Sequence, residues 1–313
     1  MKYLMKKIVT LIITLLVVSF ITFFAFQIIP GDSAITSLGV DANPQRVAEL
    51  REQLGYNDNV IVRYVNWLVD AIKGDFGAST RFNMPVQNLI QERLPVTVGL
   101  AIIAIIMIVL VSVPIGILSA KKEGTLIDRL IVLMNQIGMA IPPFFMGMLI
   151  TLIFGIILKW FTPGKYISME ESFFRYVYYL IFPAVAIAIP KIAMLVKFLR
   201  SSVLRQLEQD YVRTARSKGN TENAVLYHHV FKNALIPVIT FLAMIVADVL
   251  AGSIIVEQVF NLPGLGRLLV VAISNRDYPV VQAIVLYITS VVLIMNFIVD
   301  VLYQYIDPRV HIS

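Results

Sequence analysis

Six long apolar runs recur along the chain, at roughly Ile8–Ile29, Val96–Ala120, Leu130–Leu158, Tyr176–Leu199, Ala234–Val256 and Val280–Ile306. A helix that crosses a bilayer needs about 20 consecutive apolar residues, and each run meets that length. The pattern predicts an all-α membrane protein with six transmembrane helices. The first run follows Lys6 and Lys7, is too long for the apolar region of a signal peptide, and has no small-x-small cleavage pattern before Pro30. It is expected to be a retained span. The sequence divides into a first helix (1–29), a segment 30–94 with helical patterning, a five-helix core (95–306) and a tail (307–313).

Within 30–94, Asn43 and Pro44 form a helix start, Val47, Leu50 and Leu54 an apolar face, and Gly55 a stop. A second amphipathic stretch carries Val60, Tyr64, Trp67, Leu68 and Ala71. Gly74, Asp75 and Gly77 read as a turn, and Val86, Leu89, Ile90 and Arg93 as a short helix leading into the second span. Such a segment is either a folded cap or a docking surface for a solute-delivering protein. In 200–232, Val203, Leu207, Tyr211 and Thr214 are placed on one helix face. Gly219 breaks that pattern, and Asn220 or Thr221 caps a second short helix through Phe231. On pattern alone this basic segment reads as an anchor against anionic lipid.

Composition supports lipid as the solvent. Hydrophobic residues make up 58% and charged residues 15%, against about 25% charged in a soluble domain. The formal net charge of +6 counts less than where the cations lie, because Lys and Arg collect on the cytoplasmic side. Lys2, Lys6, Lys7, then Lys121, Lys122 and Arg129, then Arg200, Arg205, Arg213, Arg216, Lys218 and Lys232 fall on one side of alternating spans. Both termini are therefore expected to be cytoplasmic and 30–94 extracytoplasmic. No nucleic-acid partner is implied.

Several chemistries lack their residues. There is no cysteine, no G-x-x-x-x-G-K-[ST] loop, no H-E-x-x-H spacing and no G-x-S-x-G elbow. His228 and His229 are adjacent and cannot both face one site on a helix. No catalytic or metal-ligating residue is expected. Two charges inside the spans stand out: Lys191 after Pro190, and Asp248. A charge at mid-bilayer costs about 2.5–3.5 kcal/mol on insertion scales, so both should face protein or water. They are candidates for lining a translocation pathway or for a structural ion pair. Pro114, Pro142 and Pro143 should kink their spans.

The run Asp210-Tyr211-Val212-Arg213-Thr214-Ala215-Arg216-Ser217-Lys218-Gly219, continuing to Lys232-Asn233-Ala234-Leu235-Ile236-Pro237, closely resembles the signature of ABC-importer permeases. Ala215 and Gly219 match the general form, and Arg213 and Thr214 resemble its oligopeptide/dipeptide branch. Pro30-Gly31-Asp32, Leu50-Arg51, Leu54-Gly55, Gly74-Asp75-Phe76-Gly77 and Arg93-Leu94-Pro95 are similar to that branch. So are Glu257, Pro263-Gly264-Leu265-Gly266, Arg276-Asp277 and Asp307-Pro308-Arg309. Asp248 matches no charged position of the family. The resemblance implies an importer permease fold in a prokaryotic cell membrane, and a coupling segment (Arg213, Thr214, Ala215, Arg216, Lys218 and Gly219) that docks on an ATPase. Glu257, Pro263, Gly264, Gly266, Arg276 and Asp277 would form an outer-loop motif.

It further implies a heterodimer with a second homologous permease, two ATP-binding subunits and an extracytoplasmic solute-binding protein, all working in membrane lipid. The chain itself would bind no cofactor, ATP and Mg being used by the partners, and would not be an enzyme. Peptides are the expected solute, with nickel chelates, glutathione or oligosaccharides as alternatives. A self-contained secondary transporter would call for internal inverted repeats, and none is visible. A membrane-embedded enzyme lacks a candidate constellation.

Overall fold

The computed structural model describes residues 2–28, 45 and 59–306. Within them the chain is helical apart from turns and a single antiparallel bridge between Ala78 and Pro85. The helices are α1 (Lys2–Ile28), α2 (Val60–Ile72), α3 (Val86–Lys121), α4 (Leu126–Ala140), α5 (Pro143–Ile157), α6 (Phe173–Leu207), α7 (Asp210–Ser217), α8 (Glu222–Val259), α9 (Leu265–Ser274) and α10 (Tyr278–Ile306). The motifs at Pro30–Asp32, Asn43–Pro44, Leu50–Gly55 and Asp307–Arg309 lie outside the described residues. Among the described residues five helices are long and apolar enough to cross a membrane, and α4 with α5 makes a sixth candidate.

That sixth span is not the single helix expected over Leu130–Leu158. It bends by 98° between α4 and α5. Two consecutive prolines are the cause. A residue before proline is pushed out of the helical region, and Ile141 and Pro142 both hold such a position. Both are extended, with ψ of 120° and 142°. A single proline does less: α6 runs through Pro183 and Pro190, and α8 through Pro237. Pro114 likewise lies within a continuous α3. The short helix foreseen before the second span is simply the first two turns of the 36-residue α3. Thr151–Ile157 and Val225–Val230 are π-helical stretches inside α5 and α8.

The chain groups into two compact units, one of Met1–Thr97 with Pro263–Ile294, the other of Val98–Leu262 with Met295–Ser313. In the first, Val86, Leu89 and Ile90 of α3 pack with Leu265, Leu268 and Ala272 of α9 and with Val280, Val281 and Ile284 of α10. Asp277 closes this core. It is fully buried and accepts from the Ser79 hydroxyl at 2.5 Å and the Thr80 N–H at 3.2 Å. The α2 helix turns Tyr64 and Trp67 toward α1, where the Tyr64 and Ser19 hydroxyls are 2.9 Å apart and the Trp67 ring lies 5.5 Å from Phe23.

In the second unit α6 is central: 67% of its apolar window is buried, against 28% for α8. Ala184, Ala186 and Ala188 let its neighbours approach. At Gly138 of α4 an added Cβ would sit 3.2 Å from the Ala193 Cβ, so glycine is what permits this contact. Phe198 of α6 stacks on Phe241 of α8 at 4.3 Å.

Candidate functional site

The α7 helix and the turn after it project the residues singled out for coupling. Val212 and Ala215 are buried, three residues apart on one face of the helix. The other side presents Arg213, Thr214, Arg216, Ser217 and Lys218 in the open. Ala215 therefore anchors the helix inward and does not join the exposed set. The expected shared face of Val203, Leu207, Tyr211 and Thr214 does not form, because α6 ends at Leu207 and α7 restarts at Asp210.

Gly219 stops α7 in the left-handed region, at φ +82°, where a side chain is costly. Its N–H donates to the Arg216 carbonyl at 2.9 Å, and the Asn220 side-chain amide donates to the Ala215 carbonyl at 3.0 Å. Thr221, not Asn220, is the next N-cap, its hydroxyl accepting from the Ala224 N–H at 3.3 Å. The following helix is not short: it continues as α8 to Val259. Two side-chain bridges fix the turn. Arg216 grips Glu222 through both carboxylate oxygens at 2.9 and 3.1 Å, and Lys121 donates to Asn223 at 2.8 Å. Lys218 has no ion partner among the described residues.

Lys191 and Asp248, candidates for the pathway, meet as an ion pair of 2.7 Å between α6 and α8. A second pair was not anticipated. Arg200 Nε and Nη2 donate to Asp128 Oδ1 and Oδ2 at 2.7 and 2.8 Å. Asp128 also accepts from the Ser119 hydroxyl at 2.6 Å and the Gly124 N–H at 3.0 Å. This ties α3, α4 and α6 together at the Gly124 turn. The signal available in sequence was an acid at the threshold of an apolar run, which needs a cation when buried.

The outer-loop residues divide between the two units. Glu257 is fully buried near the end of α8, and its carbonyl accepts from the Leu262 N–H at 2.8 Å. Gly264 is the N-cap of α9, and the Leu265 N–H donates to the Thr97 hydroxyl at 2.9 Å. Pro263 and Gly266 flank this start. Arg276 takes a positive φ of 56° that turns the chain into Asp277. No cluster of three or more His, Cys, Asp or Glu side chains that could hold a metal occurs among the described residues.

Several helices long and apolar enough to cross a bilayer, with a polar turn between two of them, define a multi-pass α-helical membrane protein. The chain belongs to the family described as the binding-protein-dependent transport system inner membrane component, which it matches over residues 112–312, with that family's N-terminal component over residues 1–101. It is 37% identical over 311 residues to the oligopeptide transport system permease protein AppB of Bacillus subtilis, with 98% of each chain covered. It is 34% identical to the dipeptide transport system permease protein DppB of Alkalihalophilus pseudofirmus, again covering 98% of each. To the glutathione transport system permease protein GsiC of Salmonella typhimurium it is 37% identical, with 99% of each covered. The chain is a membrane-spanning permease subunit of an ABC importer, which implies ATP-binding and substrate-binding partners.

Proposed function

We propose that the chain, paired with a second homologous permease, forms a translocation pathway for peptides. Two ATP-binding subunits would dock on α7 and the Gly219 turn, and an extracytoplasmic binding protein would deliver the solute. The chain supplies no catalysis and binds no cofactor. ATP and Mg act in the partner subunits, and both termini are cytoplasmic. The observation that carries this reading is the exposed basic rim Arg213–Lys218 on a turn braced by Arg216–Glu222 and Lys121–Asn223. A braced turn passes a push from a partner into α6 and α8, whereas a loose one absorbs it. The energy source then biases two conformations of the permease without chemistry in this chain. Lys191 and Asp248 are assigned to the pathway between those two helices.

Reconstitution of the complex in vesicles tests this. Peptide, delivered by the binding protein, is expected to stimulate ATP hydrolysis and to accumulate inside, while the lone chain does neither. Net uptake by the lone chain would make it a secondary transporter, and turnover of a substrate by it an enzyme. The glutathione relative makes glutathione, itself a tripeptide, the second solute to try. Nickel chelates and oligosaccharides follow.

A further inference from the structure

The α2 helix carries an apolar stripe that its packing on α1 does not use. Tyr64, Trp67, Leu68 and Ala71 turn toward α1 and the cavity beside it. Ile61, Val65, Val69 and Ile72 follow one another at helical spacing on a separate flank and are exposed by 44–79%. A third flank is polar. It carries Arg63, Asn66 and Asp70, with Lys73 just after the last turn and 3.7 Å from Asp70. Apolar and charged surface are thus sorted along the whole length of the helix, as in a helix that meets two solvents.

What lies against the stripe follows from where α2 sits along α1. The apolar window of α1 is Met5–Phe26, 22 residues, which at ~1.5 Å per residue matches a hydrocarbon core of about 30 Å. The Tyr64 hydroxyl is 2.9 Å from that of Ser19 and donates to the Leu16 carbonyl at 3.4 Å. Those two residues lie roughly 10 and 15 Å inside the Phe26 end of the window. A cavity of about 340 Å³, bounded among others by Leu15, Leu16, Leu68, Ile72 and Leu286, continues the contact inward. The Ser19 and Ser290 hydroxyls on its wall are bonded to the Leu16 and Leu286 carbonyls, so they call for no polar guest. At these same levels α1 exposes Ile13, Val17 and Ile21 by 50–60%, the surface of a span that faces lipid. The α2 helix therefore sits at the depth of acyl chains, not beyond the end of the span.

A neighbouring protein helix would call for other residues. Close helix packing in a membrane uses Gly, Ala, Ser and Thr. The stripe holds only Ile and Val, and the one small residue of α2, Ala71, is on the packed face. A water-soluble partner does not reach this depth. We propose that α2 is a membrane-embedded helix whose Ile61–Ile72 stripe faces the acyl chains of the leaflet at the C-terminal end of α1, with its polar flank turned to water. The segment ahead of the second span is then part of the membrane domain and not a cap above it, whichever side of the membrane the termini occupy.

The chain has no cysteine, so single nitroxide labels can be placed on Val65→Cys, Val69→Cys, Asn66→Cys and Asp70→Cys. The labels are read in the assembled complex in phosphatidylcholine vesicles, with any cysteines of the other subunits replaced. Retained ATP hydrolysis shows that each labelled complex is intact. At positions 65 and 69 the label should collide freely with dissolved oxygen, which concentrates among acyl chains. It should be several-fold less accessible to chromium oxalate, which stays in water, than at positions 66 and 70. In the unlabelled complex, a phosphatidylcholine with a diazirine midway along one acyl chain should crosslink to the peptide holding Val60–Ile72. Equal access of chromium oxalate to all four positions would put α2 in water and overturn the assignment. Shielding of positions 65 and 69 from both reagents, with no crosslink, would also overturn it and give the stripe to a protein neighbour.

Discussion

Lys191 on α6 reaches Asp248 on α8 at 2.7 Å, so the two charges that the sequence places in separate apolar runs neutralise one another. The pair is lopsided. The lysine side chain is 17% exposed and the aspartate 57%. Removing one partner should therefore do unequal harm. Asp248→Asn strands a mostly enclosed ammonium, whereas Lys191→Met leaves a carboxylate that still meets water. The loss of stability in Asp248→Asn should approach the ~3–5 kcal/mol of a broken buried pair, and in Lys191→Met stay near ~1 kcal/mol. The amount of assembled complex measures the first effect. Uptake per assembled complex measures the second, and should fall in Lys191→Met if Asp248 lines the route. Equal loss of complex in both variants would make the pair purely structural.

Much of this architecture is legible from length and punctuation. Six apolar runs give the spans, Gly219 gives the turn, and Thr221 is one of two caps that the pattern allows. Pro142-Pro143 announces a kink, but not its size, because the size depends on both pre-proline residues leaving the helical region together. Asp128 is different. In sequence it belongs to a charged turn, and the cation that neutralises it is 72 residues away. Only packing of α4 against α6 shows that it is buried. The π-helical stretches are equally silent in the sequence. The Arg200 cation was legible as charge bias, but its role as a clamp was not.

The Asp128–Arg200 clamp yields a double-mutant test. The Asp128 side chain is 5% exposed and that of Arg200 23%. Arg200→Ala leaves an enclosed carboxylate and should cost ~3–5 kcal/mol. Asp128→Ala should cost less, about 2 kcal/mol, because the guanidinium keeps some access to water and Glu123 lies 3.8 Å away. Removing both should be milder than Arg200→Ala alone. Thermal unfolding of the complex gives these values. A strictly additive double variant would mean that the two residues do not act as a pair.

Orientation can be read by cysteine accessibility, because the native chain has no cysteine. Phe82 and Ser274 are exposed in the first unit, and Lys122 and Ser217 in the second. With cytoplasmic termini, cysteine at Phe82 or Ser274 should react with an impermeant maleimide on intact cells. Cysteine at Lys122 or Ser217 should react only after the membrane is opened. The opposite pattern would reverse the proposed topology and remove α7 from reach of any cytoplasmic ATPase.

The coupling assignment rests most heavily on Gly219, and the structure separates two ways in which a side chain there could do harm. At φ +82° a β-branched residue is strained, at a cost of roughly 1–2 kcal/mol. Space within the chain is not limiting, because nothing lies within 4 Å of where a Cβ would stand. Gly219→Val should therefore insert and assemble with its partner permease. If the turn seats against an ATP-binding subunit, the added bulk should weaken that subunit's binding or leave hydrolysis unstimulated by solute. Gly219→Asn isolates the second cause, since asparagine tolerates the left-handed backbone while still adding bulk. It should lose stimulation nearly as fully as Gly219→Val, and Arg205→Ala, outside the turn, should lose little. Stimulation kept in Gly219→Asn but lost in Gly219→Val would assign the effect to backbone strain. Normal stimulation and uptake in both would make α7 and its turn a surface anchor, and the ATPase would have to dock elsewhere.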